Sequence, residues 1–433
     1  MTKLSSRERL AAALERIDDP KGEGARACLT VYRERAQAAA EAADARAKGG
    51  ITLGPLDGAI VTIKDLFDVA GEVTRAGSKV IAEEDAPAAE DAAIVRRLRS
   101  AGAVIVAKTN MSEFAFSGVG VNPHYGTPGN PADRKRCPGG STSGGAVAVA
   151  DGMCEIAIGS DTGGSCRTPA AFCGVVGYKP SRQRVPTTGA FPLSYTLDSI
   201  GPLAKTVAAC AAADAVMANE SPQTLHAAPL ANLRIGVAQG MPLERLDDGV
   251  AKGFAAALDT LKKAGVRLSD EVLPAIDGMN EVNKLGGGIT PTEAYAVHRD
   301  RFTRRGDDLD QHIRRRIERA KDNSAADYIT MIQRRLRLIR EMDVAMADVD
   351  VLAMPTSAVI APLIADLENP DDFARRNAMC LRNTSIWNFF DCCAISLPLP
   401  KQGRQNVGLM LVARNGHDHR LFRIAAAVEG VFC

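Results

Sequence analysis

The segment Gly139–Arg167, GGSTSGGAVAVADGMCEIAIGSDTGGSCR, constrains this chain more than any other stretch. It places hydroxyl side chains in two glycine-rich turns, Ser141-Thr142-Ser143 and Thr162-Gly163-Gly164-Ser165. Glycines beside a serine allow tight turns that bring backbone N–H groups close to a ligand, as an oxyanion site requires. The pattern makes Ser165 a candidate nucleophile.

A flexible linker is the alternative interpretation, because Gly-Ser clusters commonly mark linkers. A linker would not contain the apolar run AVAVADGMCEIAI between its glycines, however. The spacing between Ser141 and Ser165 leaves room for a helix of about three turns and a short strand. Both clusters could therefore return to one edge of a sheet.

A serine nucleophile needs a base, and the usual base is histidine. None of the six histidines lies in an Asp- or Glu-bearing motif that would indicate a catalytic triad, and Gly163-Gly164-Ser165-Cys166-Arg167 does not match the G-x-S-x-G elbow. Walker A, HExxH and strand-linked GxGxxG motifs are also absent. A lysine remains, since burial can lower its pKa towards neutrality.

Lys64 is the best-placed lysine, because residues 59–63 predict a buried strand that ends beside it. The alternative interpretation pairs Lys64 with Asp65 or Asp68, as most lysines are solvated or paired. If its ammonium group were too far from Ser165, Ser141 would relay the proton between them.

Composition excludes several classes of protein. The net charge of +1 over 433 residues gives no field that would attract nucleic acid or an anionic membrane. The N-terminus lacks the apolar core of a signal peptide, and no run approaches the ~18 apolar residues of a membrane span, so we expect a cytoplasmic protein. The ten cysteines form no CxxC pair, which predicts no disulfide and no zinc site.

Hydrophobic patterns predict an α/β chain without repeats or low-complexity linkers, favouring one compact unit. Helices are predicted over 5–17, 31–48, 91–102, 207–219, 246–264 and 420–429. Strands are predicted over 59–63, 103–107, 233–237, 349–354, 394–397 and 408–412. Residues 169–192 are expected to form turns with short strands.

Two other regions bear on a site. The stretch 110–131 is rich in Gly, Pro and Asn, and such long loops commonly line functional sites. The charged stretch 296–340 is expected to present solvated helix faces. A pocket drawn from the loop, from the surroundings of Tyr195 and from 280–390 could also use aromatic side chains, although each is equally plausible as core. These are Phe116, Tyr125, Phe191, Trp387 and Phe389.

In these motifs and their spacing, the sequence resembles the amidase signature family of serine hydrolases. The resemblance rests on GGSTSGG and GSDTGGSCRTPAAFCG at the family's spacing, with VTIKDLFDVAG, AKTNMSEFA, DSIGPLA, VDVLAMPT and GLMLVA elsewhere. It covers most of the chain outside about 216–340. It implies one domain over 1–433, built on a single large mixed β-sheet sandwiched between helices, with 216–340 a more variable, helix-rich substrate-side region.

The resemblance also implies the roles of the site residues. Ser165 would attack the amide carbonyl, Ser141, preceded by a cis peptide, would pass the proton, and Lys64 would be the ultimate base and then acid. The N–H groups of Thr162, Gly163, Gly164 and Ser165 would form the oxyanion hole. No metal or organic cofactor is implied.

Several positions depart from the family pattern. Cys166 replaces a branched aliphatic residue, Asp391 and Cys393 stand where Gly and Pro are common, and Met410 stands where many members have Gln. The last three lie in a region that shapes the substrate pocket, so they affect substrate identity more than the triad. A reactive-thiol role for Cys166 is the weaker alternative.

Three functions follow as hypotheses. The first is a free amidase that converts a small carboxylic acid amide to the acid and ammonia or an amine, with a homodimer as a candidate assembly. The second is the glutaminase subunit of a tRNA-dependent amidotransferase, which passes ammonia to a partner. The third, an inactive binding protein, is disfavoured because Lys64, Ser141 and Ser165 are all present. The departures at Asp391 and Cys393 favour the free amidase.

Overall fold

A computed structural model describes residues 4–221, 223–400 and 405–432. Eleven strands form a single sheet. In chain order they are β1 Cys28–Val31, β2 Ile60–Lys64, β3 Val104–Thr109, β4 Ile156–Asp161, β5 Val176–Lys179, β6 Ser199–Ala204, β7 Arg234–Ala238, β8 Arg267–Glu271, β9 Val351–Pro355, β10 Cys393–Pro398 and β11 Gly408–Ala413.

The sheet is mixed and runs in the order β1-β3-β2-β4-β6-β5-β10-β11-β9-β7-β8. Strand β2 is parallel to both of its neighbours, β3 and β4, and β7 is parallel to β8 and β9. The remaining pairs are antiparallel. The fold is therefore α/β with one large mixed sheet, as expected.

Helices cover both faces of the sheet. They are α1 Ser6–Asp18, α2 Gly24–Ala27, α3 Arg33–Lys48, α4 Lys79–Glu84, α5 Ala93–Ser100, α6 Ser143–Ala150, α7 Arg167–Cys173, α8 Val207–Ala218, α9 Asp248–Lys263, α10 Ala275–Lys284, α11 Ile289–Arg305, α12 Gln311–Glu318, α13 Ala325–Ala345, α14 Pro370–Phe389 and α15 Asp418–Phe432. None of the helices in the described ranges is long and apolar enough to cross a membrane.

Alternation of side chains along the strands divides the core between the two faces. In β4, Ile156 and Ile158 pack with α5, α8, α9 and α15, whereas Ala157 between them packs with α1, α3 and α6. In β11, Leu409 and Leu411 face the first of these layers, and Met410 faces α10, α13 and α14. Because these central strands are apolar on both sides, helices are needed on both faces.

The predicted helices correspond to α1, α3, α5, α8, α9 and α15, and the predicted strands to β2, β3, β7, β9, β10 and β11, within about three residues. The expectation of turns over 169–192 was wrong at its start, where residues 169–173 belong to α7. Helix α7 has no side-chain cap and holds Pro169 in its first turn, where a missing N–H costs little. Helix α14 also escaped prediction, although Asn369 caps it and Pro370 begins it.

The stretch 296–340 is helical, as its charge spacing indicates, but its faces are not all solvated. Arg335 of α13 is only 2% exposed and forms an ion pair with Asp391, and Arg316 of α12 is half-buried. Charge alone did not distinguish these two arginines from their exposed neighbours.

Candidate active site

The candidate residues meet where two parallel strands end. Lys64 is the last residue of β2, and Asp161 is the last residue of the adjacent β4. The two glycine-rich turns flank this edge, one leading into α6 and the other into α7. The carboxyl ends of neighbouring parallel strands thus place Lys64, Ser141 and Ser165 in one region.

Lys64 is fully buried and lies between two hydroxyl groups. Its Nζ is 2.7 Å from Ser141 Oγ and 2.9 Å from Ser160 Oγ. Burial lowers the pKa of Lys64 to about 8, although the nearby Cys166, Asp161 and Asp198 favour the charged form. The ion-pair interpretation was wrong, because within the described ranges Lys64 forms no salt bridge and Asp65 lies nearest to Arg75.

Ser141 and Ser165 lie on adjoining segments. The Gly140–Ser141 peptide is cis, as the resemblance implied. The N–H of Thr142, the next residue, donates to the carbonyl of Ser165 over 3.3 Å. Ser141 is completely buried, and Ser165 is 4% exposed at the wall of a cavity. Lys64 therefore contacts Ser141 directly, and the residue after Ser141 contacts the Ser165 segment.

A buried carboxylate organises the turn that carries Ser165. Asp161 accepts hydrogen bonds from the N–H groups of Gly164 and Cys166 and from both Nε and Nη2 of Arg167. Asn388 of α14 donates to the same carboxylate and to the Asp161 carbonyl. Burial alone would raise the pKa of Asp161, but Arg167 holds it well below the usual range of a carboxyl group.

These contacts change the expected set of oxyanion donors. The Gly164 N–H already donates to Asp161 Oδ1 over 2.8 Å, so it is not directed at a ligand. The N–H groups of Thr162, Gly163 and Ser165 have no hydrogen-bond partner within the described ranges. Sequence reasoning missed Asp161, whose position just before the turn was the available signal.

A cavity of about 120 Å³ opens onto Ser165. Its wall combines apolar and polar side chains from the three regions expected to form a pocket. The lining residues are Ala115, Phe116, Ser117, Thr162, Gly163, Ser165, Leu193, Leu197, Asn283, Thr290, Arg316, Leu381, Ser385 and Phe389. None of the six histidines lines it.

Two of the five candidate aromatic residues line the cavity, Phe116 and Phe389. The other three lie elsewhere. Trp387 is fully buried and donates to Met354 Sδ, Phe191 packs beside His298, and Tyr125 lies under Arg75. Tyr195 is 72% exposed and also lies outside the cavity wall.

Arg316 is the charged residue of the cavity wall, and no acidic side chain in the described part of the chain forms a salt bridge with it. Its guanidinium lies over the Phe116 ring, 4.2 Å from the centroid, and its buried Nε makes no hydrogen bond to any described group. Burial lowers the pKa of Arg316 to about 10, so it stays charged near neutrality. Nothing in the sequence distinguishes Arg316 from the neighbouring arginines of its run, so sequence reasoning missed it.

The departures from the family pattern have structural explanations. Asp391 has a left-handed φ of 59°, a conformation that suits glycine, and it pairs with Arg335. Met410 Sδ accepts from Arg167 Nη1 over 3.3 Å. Cys393 is a buried residue of β10. Burial raises the pKa of the Cys166 thiol to about 12, which leaves it protonated and unreactive.

The cysteines and other ligand-type residues do not gather into a metal site. Nine cysteines are free thiols, and Cys433 lies outside the described residues. Within residues 4–221, 223–400 and 405–432, no three His, Cys, Asp or Glu side chains are grouped so that they could hold a metal ion.

Residues 8–422 match the family model described as Amidase. The chain is 36% identical to 2-amino-5-chloromuconic acid deaminase of Comamonas testosteroni, over 92% of this chain and 86% of that protein. It is 34% identical to the A subunit of glutamyl-tRNA(Gln) amidotransferase from Anaeromyxobacter sp. (strain K), over 98% of this chain and 93% of the relative. A solved structure described as an amidase superposes with a TM-score of 0.89 and 31% identity, covering 99% of this chain and 97% of the other. This chain therefore belongs to the amidase family of enzymes that hydrolyse amide carbon–nitrogen bonds.

Proposed function

We propose that this enzyme hydrolyses a small amide that bears a free carboxylate, through an acyl-enzyme on Ser165. Ser165 Oγ attacks the amide carbonyl carbon while its proton passes to Ser141, and the Ser141 proton passes to neutral Lys64. The resulting Lys64 ammonium returns a proton through Ser141 to the leaving nitrogen. Water then attacks the acyl-enzyme by the same relay, releasing the acid.

The observation that carries the chemistry is the 2.7 Å contact between the buried Lys64 Nζ and Ser141 Oγ. A lysine with a pKa of about 8 is partly neutral near neutrality, so it can accept a proton there. Within the described residues Lys64 bonds to Ser141 and not to Ser165, and the N–H of the next residue, Thr142, bonds to the Ser165 carbonyl. These contacts favour the route through Ser141 over direct transfer.

The unpartnered N–H groups of Thr162, Gly163 and Ser165 are the proposed oxyanion donors. Thr162, Gly163 and Ser165 line the same cavity as the hydroxyl that would attack, so the developing negative charge would form close to this turn. Removal of one such donor typically costs about 3 kcal/mol of transition-state stabilisation. The Gly164 N–H is left out of this set, because its role is to bind Asp161 and hold the turn.

Arg316 is the reason for proposing that the substrate carries a carboxylate. A guanidinium with a buried, unpartnered Nε is costly without an anion, and a carboxylate can bind it through two parallel hydrogen bonds. Phe116, Leu193, Leu197 and Phe389 would contact the carbon chain between that carboxylate and the amide. The cavity of about 120 Å³ restricts the substrate to a small molecule.

Ammonia release from a panel of amides tests this function. The panel contains monoamides of dicarboxylic acids, chain-matched aliphatic amides, an aromatic amide and glutamine. We expect Ser165-dependent release, with kcat/KM for succinamate falling by at least about 30-fold in Arg316→Ala, or about 2 kcal/mol, and butanamide little affected.

Arg315→Ala is the matched control, because Arg315 is its exposed helix neighbour, pairs with Asp371 and does not line the cavity. It should leave both substrates unchanged. Equal losses on succinamate and butanamide in Arg316→Ala would contradict the carboxylate subsite, and full activity of Ser165→Ala would contradict the mechanism.

The glutaminase subunit of a tRNA-dependent amidotransferase is the second candidate. The 34% identity to a protein of this kind favours it, and glutamine also carries a carboxylate. Activity of the purified single chain on simple acid amides would support the free amidase. Activity on glutamine alone, and only in the presence of a partner protein, would support the amidotransferase.

A further inference from the structure

We propose that Glu113 is a positioning residue that holds Arg316 and Phe116 together at the cavity. The inference rests on the proposed carboxylate subsite. Glu113 does not line the cavity, and its side chain is fully buried. Any effect it has on substrate must therefore act through other residues.

Glu113 joins two segments that are far apart in the chain. Its side chain is 0% exposed. Oε2 accepts the backbone N–H of Asp310 over 2.7 Å, and Oε1 accepts Ser78 Oγ over 2.7 Å and lies 3.1 Å from His124 Nε2. The Oε2 contact links the 110–131 loop to the residue that precedes α12.

Asp310 is the N-terminal cap of α12, and its side chain accepts the His312 N–H. Arg316 lies in the same eight-residue helix. A helix this short is not stable alone, so contacts with the rest of the protein hold it in place. These are the burial of Ile313 and Ile317 and the contacts at its end. The negative charge of a carboxylate at that end also interacts favourably with the positive end of the helix dipole. Glu113 therefore fixes the start of the helix that carries Arg316.

Glu113 also belongs to the 3₁₀ turn Glu113–Ala115, which leads directly to Phe116. Phe114 and Ala115 have left-handed φ angles of 52° and 60°, so the turn has an unusual backbone that needs support. The guanidinium of Arg316 stacks on the ring of Phe116. One buried carboxylate is thus attached to both partners of this stack, the loop by covalent bonds and the helix by the Asp310 N–H.

The experiment compares kcat/KM for succinamate with kcat/KM for butanamide, which replaces the carboxylate by a methyl group. In Glu113→Ala we expect the ratio to fall by about ten-fold or more through KM, with kcat for butanamide within about two-fold of the parent. Glu113→Gln keeps one acceptor oxygen, so its ratio should lie between those of the parent and Glu113→Ala. It also serves as the second variant if Glu113→Ala does not fold.

Ser78→Ala is the matched control, since it removes a contact to Oε1 and leaves the Oε2–Asp310 contact intact. Its ratio should equal that of the parent. A folded Glu113→Ala or Glu113→Gln with an unchanged ratio would overturn the inference while leaving the carboxylate subsite in place.

A double-mutant cycle separates this role from a general structural one. In the Arg316→Ala background, Glu113→Ala should not lower the ratio further, because the group that it positions is gone. A further fall there would show that Glu113 acts by another route. An unchanged ratio in Arg316→Ala alone would overturn the subsite itself, and the inference with it.

Discussion

Lys64 lies inside the protein with its Nζ between two serine hydroxyls, at 2.7 Å from Ser141 and 2.9 Å from Ser160. The contact to Ser160 directs one N–H away from Ser141, so the lone pair of a neutral amine can face Ser141. Neither Asp161 nor Asp198 is bonded to it, although both favour its charged form. Desolvation therefore dominates, and the pKa falls.

This pKa predicts the pH dependence of catalysis. Lys64 must be neutral to accept a proton, and the neutral fraction grows as pH rises through about 8. We expect kcat/KM for an uncharged amide to rise about ten-fold per pH unit below that value and to level off above it. A pH–rate profile measured with butanamide or a better neutral substrate checks this. A profile that is flat from pH 6 to 9 would exclude Lys64 as the base.

The same pKa affects stability with a definite sign. The unfolded chain holds the Lys64 proton up to about 10.5 and the folded chain only up to about 8, so between these values the unfolded state binds more protons. The cost of burying the ammonium is complete below pH 8 and is relieved as pH rises towards 10.5. The folded enzyme thus carries a stability cost at neutral pH for a lysine that can act as a base.

At the scale of elements, the conformation of the turn between β4 and α7 depends on the hydrogen bonds of Asp161 and on the backbone conformation and surroundings of its glycines. Gly164 has a φ of 129°, and a Cβ there would lie 2.0 Å from Thr384 Oγ1. A Cβ on Gly163 would meet nothing closer than Ser385 Cβ at 3.8 Å. The two adjacent glycines therefore differ in what they tolerate.

Gly164→Ala is expected to destabilise the protein by about 1–3 kcal/mol, because it combines backbone strain with a clash against α14. Gly163→Ala is the control and should unfold at the same denaturant concentration as the parent, even if its activity changes. Denaturant unfolding followed by circular dichroism measures both. Equal midpoints for the two variants would contradict the role assigned to this turn.

Elements with strong periodicity were predictable, and their contacts were not. The stretch 59–63, apolar except for Thr62, predicted β2 and the position of Lys64, because a buried strand needs little more than that pattern. Asp161 and Glu113 are each bonded to groups far away in the chain, Asn388 and Asp310, and no local pattern encodes such pairs. The same is true of Arg316, whose surroundings distinguish it from Arg315.

At the scale of the whole molecule, one sheet takes strands from Cys28 to Ala413. The single domain over 1–433 stays a prediction. The 216–340 region contributes two strands at one end of the sheet, β7 and β8, and also Asn283, Thr290 and Arg316 to the cavity. The family's motifs predicted the type of reaction, since one of them contains Ser165 and another contains Ser141. We predict that the 216–340 region, which the motifs do not cover, contributes to the choice of substrate. The cytoplasmic location and the homodimer also stay predictions.

The central claim is that Ser165 forms the acyl-enzyme with Lys64 acting through Ser141. Mass spectrometry of the acid-quenched enzyme, taken during turnover of the best amide from the panel, tests it most directly. The account predicts a mass increase equal to the acyl group, mapped by peptide analysis to Ser165. The increase should be absent in the Ser165→Ala and Lys64→Ala variants, provided that each retains the circular dichroism spectrum of the parent. An acyl group on another residue, or undiminished turnover by folded Ser165→Ala, would contradict it.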